Sequence, residues 1–110
     1  MLNNLFAFCF FLINLLQVSV DLSSSNTYDQ YISSWYENIQ LAQKYLNNAE
    51  LAIKNGDYLD SCFNQRKASE FGLIATKARI EAAEIKGEND LILNLQNGLK
   101  KWKAFGDFCG

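Results

Sequence analysis

Residues 53–59 read IKNGDYL, and the fold turns on them. Asn55-Gly56 closes a helical run, because glycine enters the left-handed conformation that ends a helix without steric cost. Asp57 then supplies a short acceptor side chain for the free amides of a following helix. Upstream of this turn, Ile32, Trp35, Ile39, Ala42, Leu46, Ala49 and Ile53 alternate spacings of three and four, which places them on one helical stripe. Thr27-x-x-Gln30 fits a capping box at the head of that stripe, after a polar linker from Asp21 to Asn26. The first helix is therefore expected from Thr27 to Asn55.

Downstream, apolar residues occupy more than one face. Leu59, Cys62, Phe63, Leu73 and Ile80 fall on one side, while Phe71, Ile74, Ala75, Ala78, Ala82 and Ile85 spread around the rest. A helix wet on only one narrow side lies between two partners, so the segment Asp57 to Lys86 reads as the central helix. Its small residues Ala68, Gly72, Ala75 and Ala78 allow a neighbour to come close. Gly87 breaks the chain, and a third helix carrying Leu91, Leu95, Leu99, Trp102 and Phe105 is expected from Asn89 to Phe105, with Gly106 as its stop. Acids mark the three starts (Asp29, Asp57 with Asp60, Glu88 with Asp90) and lysines the three ends (Lys54, Lys86, and Lys100, Lys101 and Lys103), as helix dipoles favour. The chain contains no proline, and its Ala, Leu, Lys, Glu and Gln content suits helix almost throughout. The fold class is all-α: a small antiparallel three-helix bundle behind an N-terminal hydrophobic segment.

That segment, Leu5 to Leu16 (LFAFCFFLINLL), is an almost unbroken apolar run flanked by Asn3 and Asn4 before it and by Asp21 and Ser23 to Ser25 after it. It has the length of a signal-peptide h-region and is short for a bilayer span. No Lys or Arg precedes it, since the first basic residue is Lys44, and Val18-Ser19-Val20 does not finish on a small residue. A cleaved export signal is the expectation, with an uncleaved anchor from Leu2 to Val20 or a buried core helix as the alternatives. The chain divides into residues 1–25, signal or anchor with its polar linker, and residues 26–110, the helical domain. Cys9 leaves with a cleaved signal, and Cys62 and Cys109 remain to pair in an oxidising compartment, with a bridge between two chains through the Cys109-Gly110 tail as the alternative.

Lengths agree with that pairing. From Cys62 to the Gly87 turn is ~36 Å of helix, and the return from Asn89 covers ~24 Å of helix plus up to ~15 Å of extended tail. Closing the loop between the two cysteines would remove roughly 4 kcal/mol of unfolded-state entropy, a large share of the ~5–10 kcal/mol expected for so small a domain.

The composition excludes several function classes. Histidine is absent, which removes the commonest general base, the usual nucleophile pairs and most zinc sites. No Cys-x-x-Cys redox motif occurs. The formal net charge of -2, with both signs interspersed, leaves no basic footprint for nucleic acid. The acid pairs Asp57/Asp60 and Glu81/Glu84 read as a solvated face, and Gly87-Glu88-Asn89-Asp90 is nothing like a twelve-residue calcium loop. No catalytic residue, cofactor or metal is assigned. Arg66, the one charge on the Leu59, Cys62, Leu73 stripe, is expected to pair with Glu70 or Glu50. Aromatics gather at the start of the first helix (Tyr28, Tyr31, Trp35, Tyr36) and the end of the third (Trp102, Phe105, Phe108), chiefly as packing groups. Tyr36 and Tyr45 fall off the main stripe and are the candidate exposed contacts for a partner.

The stretch Ala49 to Ala68, AELAIKNGDYLDSCFNQRKA, resembles the helix, Gly-Asp-Tyr turn, helix hairpin of tetratricopeptide repeats and of HEPN-type helical domains. The resemblance implies a paired-helix geometry over less than a quarter of the chain. No second copy follows at a period near 34 residues, and Arg66 lacks the histidine a few residues on that HEPN nucleases carry, so neither a repeat array nor ribonuclease activity is implied.

The sequence thus describes a small exported protein, secreted or periplasmic, with a non-catalytic binding or structural role and a Cys62–Cys109 disulfide. A protein partner is expected, and membrane contact only where Leu2 to Val20 is retained. The alternatives are a membrane-anchored accessory of an envelope complex, facing the extracytoplasmic side, and a secreted effector or toxin.

Overall fold

The two glycine turns set the topology. Gly56 has φ +76° and Gly87 φ +69°, and both close a helix by the same pair of backbone bonds. Gly56 N–H reaches Ile53 O at 3.0 Å and Asp57 N–H reaches Ala52 O at 2.9 Å; Gly87 N–H reaches Glu84 O at 3.2 Å and Glu88 N–H reaches Ala83 O at 3.0 Å. Each is a left-handed cap that satisfies the last carbonyls. Asp57 also caps the second helix as expected, its Oδ1 accepting from the Asp60 amide at 3.0 Å. The computed structural model describes the backbone of residues 15–109 and the side chains of residues 27–109. Among these, the elements are α1 (Leu15–Lys54), α2 (Tyr58–Lys86) and α3 (Asn89–Asp107), three helices running up, down and up, as the all-α bundle expected.

Two helix limits differ from expectation. α1 begins at Leu15, so the capping box at Thr27 and the linker Asp21 to Asn26 lie within continuous helical backbone. That stretch holds neither glycine nor proline, so nothing sterically bars helix there, and extending an existing helix costs far less than starting one. At the other end, α3 runs through Gly106 to Asp107, and the Phe108 amide still bonds to Ala104 O at 3.0 Å. The part of the leader from Leu2 to Asn14, with Cys9, lies outside the described residues.

α2 packs along both neighbours, whereas α1 and α3 hardly meet. The molecule measures 60 × 29 × 15 Å, its length being that of the 40-residue α1 at ~1.5 Å per residue. Its radius of gyration is 18.4 Å, against about 13 Å for a compact chain of this size.

The fully buried apolar residues are all alanines: Ala42, Ala49 and Ala52 from α1, and Ala68, Ala75, Ala78, Ala82 and Ala83 from α2. Among the described residues, no large side chain is completely enclosed. On α2 the column Ser61, Ala68, Ala75, Ala82 repeats every seven residues towards α1, and the next column, Cys62, Ser69, Thr76, Ala83, turns towards α3. Contacts fix the antiparallel register with α1, since Lys86 Nζ stands 4.6 Å from the Tyr28 ring centre and the Arg79 guanidinium 5.7 Å from that of Trp35. Seven residues up α1 correspond to seven down α2, which carries Ala42 and Ala49 alongside the stretch from Gln65 to Ala75. Small residues at the seam let the two backbones approach, so dispersion between close-packed helices takes the place of large enclosed side chains.

Larger members of the expected α1 stripe, Ile32, Trp35, Ile39 and Leu46, are half-buried around this seam, and Ile53 is exposed. Leu59 and Phe63, placed on an inner face by the sequence, are exposed, Leu59 at 86%. α3 ends level with Cys62 and does not reach Leu59.

Candidate functional site

The α3 seam brings together most of the residues to which chemistry can be attached. Trp102 lies flat on Gly72, and a Cβ built at position 72 would fall 2.6 Å from the ring atom Cε3. Ser69 Oγ donates to the Trp102 carbonyl at 2.6 Å, and Gln65 Nε2 donates to the Phe105 carbonyl at 2.7 Å. Gly106 presses on Ser69, whose Cβ would stand 2.7 Å from a Cβ on the glycine. The glycine that reads as a stop signal is therefore a point of helix contact, which is why α3 continues through it. Beyond it, Cys109 meets Cys62 with Cα atoms 5.5 Å apart, 47 positions apart in the chain and in disulfide-bonding position, within the 4.4–6.8 Å range usual for such bridges. The tail that brings Cys109 there is mostly helix, with only the last turn irregular.

Open clefts flank α3 on both sides. One, of about 430 Å³, lies between α1 and α3 and is lined by Leu46, Gly98, Lys101, Trp102 and Phe105. Its walls are almost wholly apolar. The other, of about 420 Å³, lies between the outer side of α2 and the end of α3, where Phe63, Arg66, Leu73 and Asp107 surround Gly106.

The expected contacts separate here. Tyr36 is 57% exposed and shares a helical column with Gln43 and Glu50, next to the Ile39 and Leu46 column on the α3 side of α1. It does not line the apolar cleft, whose one α1 residue is Leu46. Tyr45 differs from expectation: it is half-buried on the opposite edge, stacked on Phe71 with ring centres 5.6 Å apart and planes at 8°. An aromatic ring at that edge has a partner on α2 of matching size, which periodicity within α1 alone does not reveal. Arg66 is exposed, and the acid expected for it, Glu70, pairs instead with Lys67 at 3.2 Å. The two aromatic groups stay at opposite ends, Tyr28 and Trp35 beside Lys86 and Arg79, and Trp102 edge-on to Phe105 with centres 6.2 Å apart near Cys62.

The charged residue that does enter the interior is Arg79, which sequence reasoning left among solvated charges. Its side chain is 18% exposed, its guanidinium lies over Trp35, and Nη1 is 3.9 Å from Glu88 Oε1. Nη1 is buried without a hydrogen-bond partner. The available sign was spacing: Gln65, Gly72 and Arg79 follow one another at intervals of seven on the face of α2 between its neighbours.

Among the described residues, no three His, Cys, Asp or Glu side chains converge as a metal site, and no helix is long and apolar enough to cross a membrane. No family model, curated protein or solved structure matches the chain.

Proposed function

We propose that this chain is an exported, non-catalytic helical protein that binds a protein partner, its domain closed by a Cys62–Cys109 disulfide. The observation that carries the reading is the bonding position of these two cysteines across α2 and α3, taken with the apolar leader ahead of them, because such bridges persist in oxidising compartments. The apolar cleft lined by Leu46, Trp102 and Phe105 is the surface on which a partner would rest, with exposed Tyr36 a separate contact on α1. Non-reducing mass analysis of the exported product is expected to give a monomer lighter by two hydrogens than the reduced form, with no alkylatable thiol. Free thiols, or a disulfide-linked dimer as the obligatory form, would overturn the reading.

A membrane-tethered accessory protein is the second reading, and α1 itself favours it. Helical backbone is described from Leu15, inside the apolar run, and runs without a break into the domain. Membrane fractionation followed by intact-mass measurement separates the two: Met1 present in the membrane fraction supports the tether, and a shortened soluble product supports export with cleavage.

A further inference from the structure

We infer that α3 is a disulfide-held strap, which reduction of the Cys62–Cys109 bond releases from α2 while the α1–α2 hairpin stays folded. The inference rests on the proposed disulfide and adds a conformational consequence to it.

Burial is divided unequally. Among the described residues, every buried residue belongs to α1 or α2 and α3 has none, with Ser69, Gly72 and Thr76 the part of α2 that α3 itself covers. The hairpin holds its alanine seam, its left-handed cap at Gly56, the stack of Tyr45 on Phe71 and the cation contacts of Lys86 and Arg79 without help from α3. α3 is attached at its start through the Gly87 turn and at its far end through Cys109. Between these points it rests on α2 through Trp102 on Gly72, Gly106 on Ser69 and two side-chain bonds to its carbonyls, its apolar residues Leu91, Ile92, Leu95 and Leu99 staying half-buried. It has clefts on both flanks and almost no contact with α1.

The two sulfurs lie near the free end of α3, and both cysteines are only half-buried, so a reductant can reach them. A thiolate of a dithiol attacks one sulfur and forms a mixed disulfide, expelling the other cysteine as thiolate. The second thiol of the reductant then displaces the remaining cysteine and closes its own disulfide. Two electrons and, after protonation of both cysteines, two protons pass to the protein. α3 is then tethered at one end only, and 19 residues of helix are marginal without packing support. Its release uncovers the Ser69, Gly72, Thr76, Ala83 face of α2, so that the surface open to a partner depends on thiol state.

Hydrogen exchange read by peptide on the full exported chain, oxidised and after dithiothreitol, tests this directly. Amides of residues 92–107 are expected to exchange on the order of 100-fold faster after reduction, within the scale of a lost loop constraint, while residues 30–54 and 58–86 keep most of their protection. A Cys62→Ser, Cys109→Ser double variant should match the reduced form. Gly72→Ala, with the bond intact, should speed exchange around Trp102 by wedging α3 outward. Equal protection of α3 before and after reduction would sink the strap alone, as would equal loss across all three helices. Free thiols in the exported chain would remove both the proposed disulfide and the strap.

Discussion

A methyl group at position 72 has nowhere to go, because the Trp102 ring already occupies its place. Gly72→Ala is therefore expected to cost about 1–3 kcal/mol, the usual range for overpacking, and to shift the tryptophan emission; urea titration followed by fluorescence checks both. Glycine is required here by contact, because a neighbour fills the space of a Cβ, and not by any need for positive φ. Arg79 poses the opposite question. Its buried Nη1 gains neither a hydrogen bond nor a close ion pair, while its alkyl stem and guanidinium cover Trp35. Replacing it by methionine keeps the bulk and removes the unsatisfied nitrogen, so Arg79→Met is expected to stay within about 1 kcal/mol of the parent, whereas Arg79→Ala loses roughly 1–3 kcal/mol through the cavity left behind. Parallel urea midpoints distinguish the two substitutions.

At the level of elements, the hairpin carries its own instructions. The Asn55-Gly56-Asp57 turn, the Gly87 turn and the Asp57 cap all lie where local chemistry places them, because a left-handed cap and a side-chain acceptor involve only residues a few positions apart. Asp57→Ala is expected to lower stability by about 1 kcal/mol, read as a shifted denaturation midpoint, with the helix content at low temperature unchanged. The seam between α1 and α2 is less forgiving. Ala75 is completely enclosed, and Ala75→Leu must force the two backbones apart; a loss of about 1–3 kcal/mol or more is expected in thermal melts followed by circular dichroism. Limits set by longer-range effects were harder to read. Gly106 has the appearance of a stop, yet its missing Cβ serves the contact with Ser69. The serine-rich stretch before Thr27 has the appearance of a linker, yet it continues a helix that had already begun.

Over the whole molecule, the thin cross-section leaves each enclosed methyl a small contribution, ~0.8 kcal/mol per carbon, and a covalent closure gains weight accordingly. Removing the bond with Cys109→Ser should split the melt: an early loss of helical signal corresponding to the 19 residues of α3, then the main transition of the hairpin. A single cooperative transition at unchanged temperature would contradict the unequal division of burial described above. The candidate site was legible in the sequence only in part. The cysteine pair follows from helix lengths, and the exposure of Tyr36, though not a role in binding, from its place off the stripe. Tyr45 was misplaced and Arg79 overlooked, because each is defined by a residue on another helix, Phe71 in one case and Trp35 in the other.

The order of residues by itself determined three helices, their two glycine turns, the central place of α2 and the reach that lets Cys109 meet Cys62. These depend on hydrogen bonds, capping and periodicity along one strand of chain. Only the tertiary structure decided that the interior is lined with alanine, that Gly72 and Gly106 are contact points, that Arg79 lies inside and Leu59 outside, and that α1 and α3 leave an open cleft. Those outcomes depend on how closely two backbones approach and on where a neighbouring helix ends, distances that no single helix encodes.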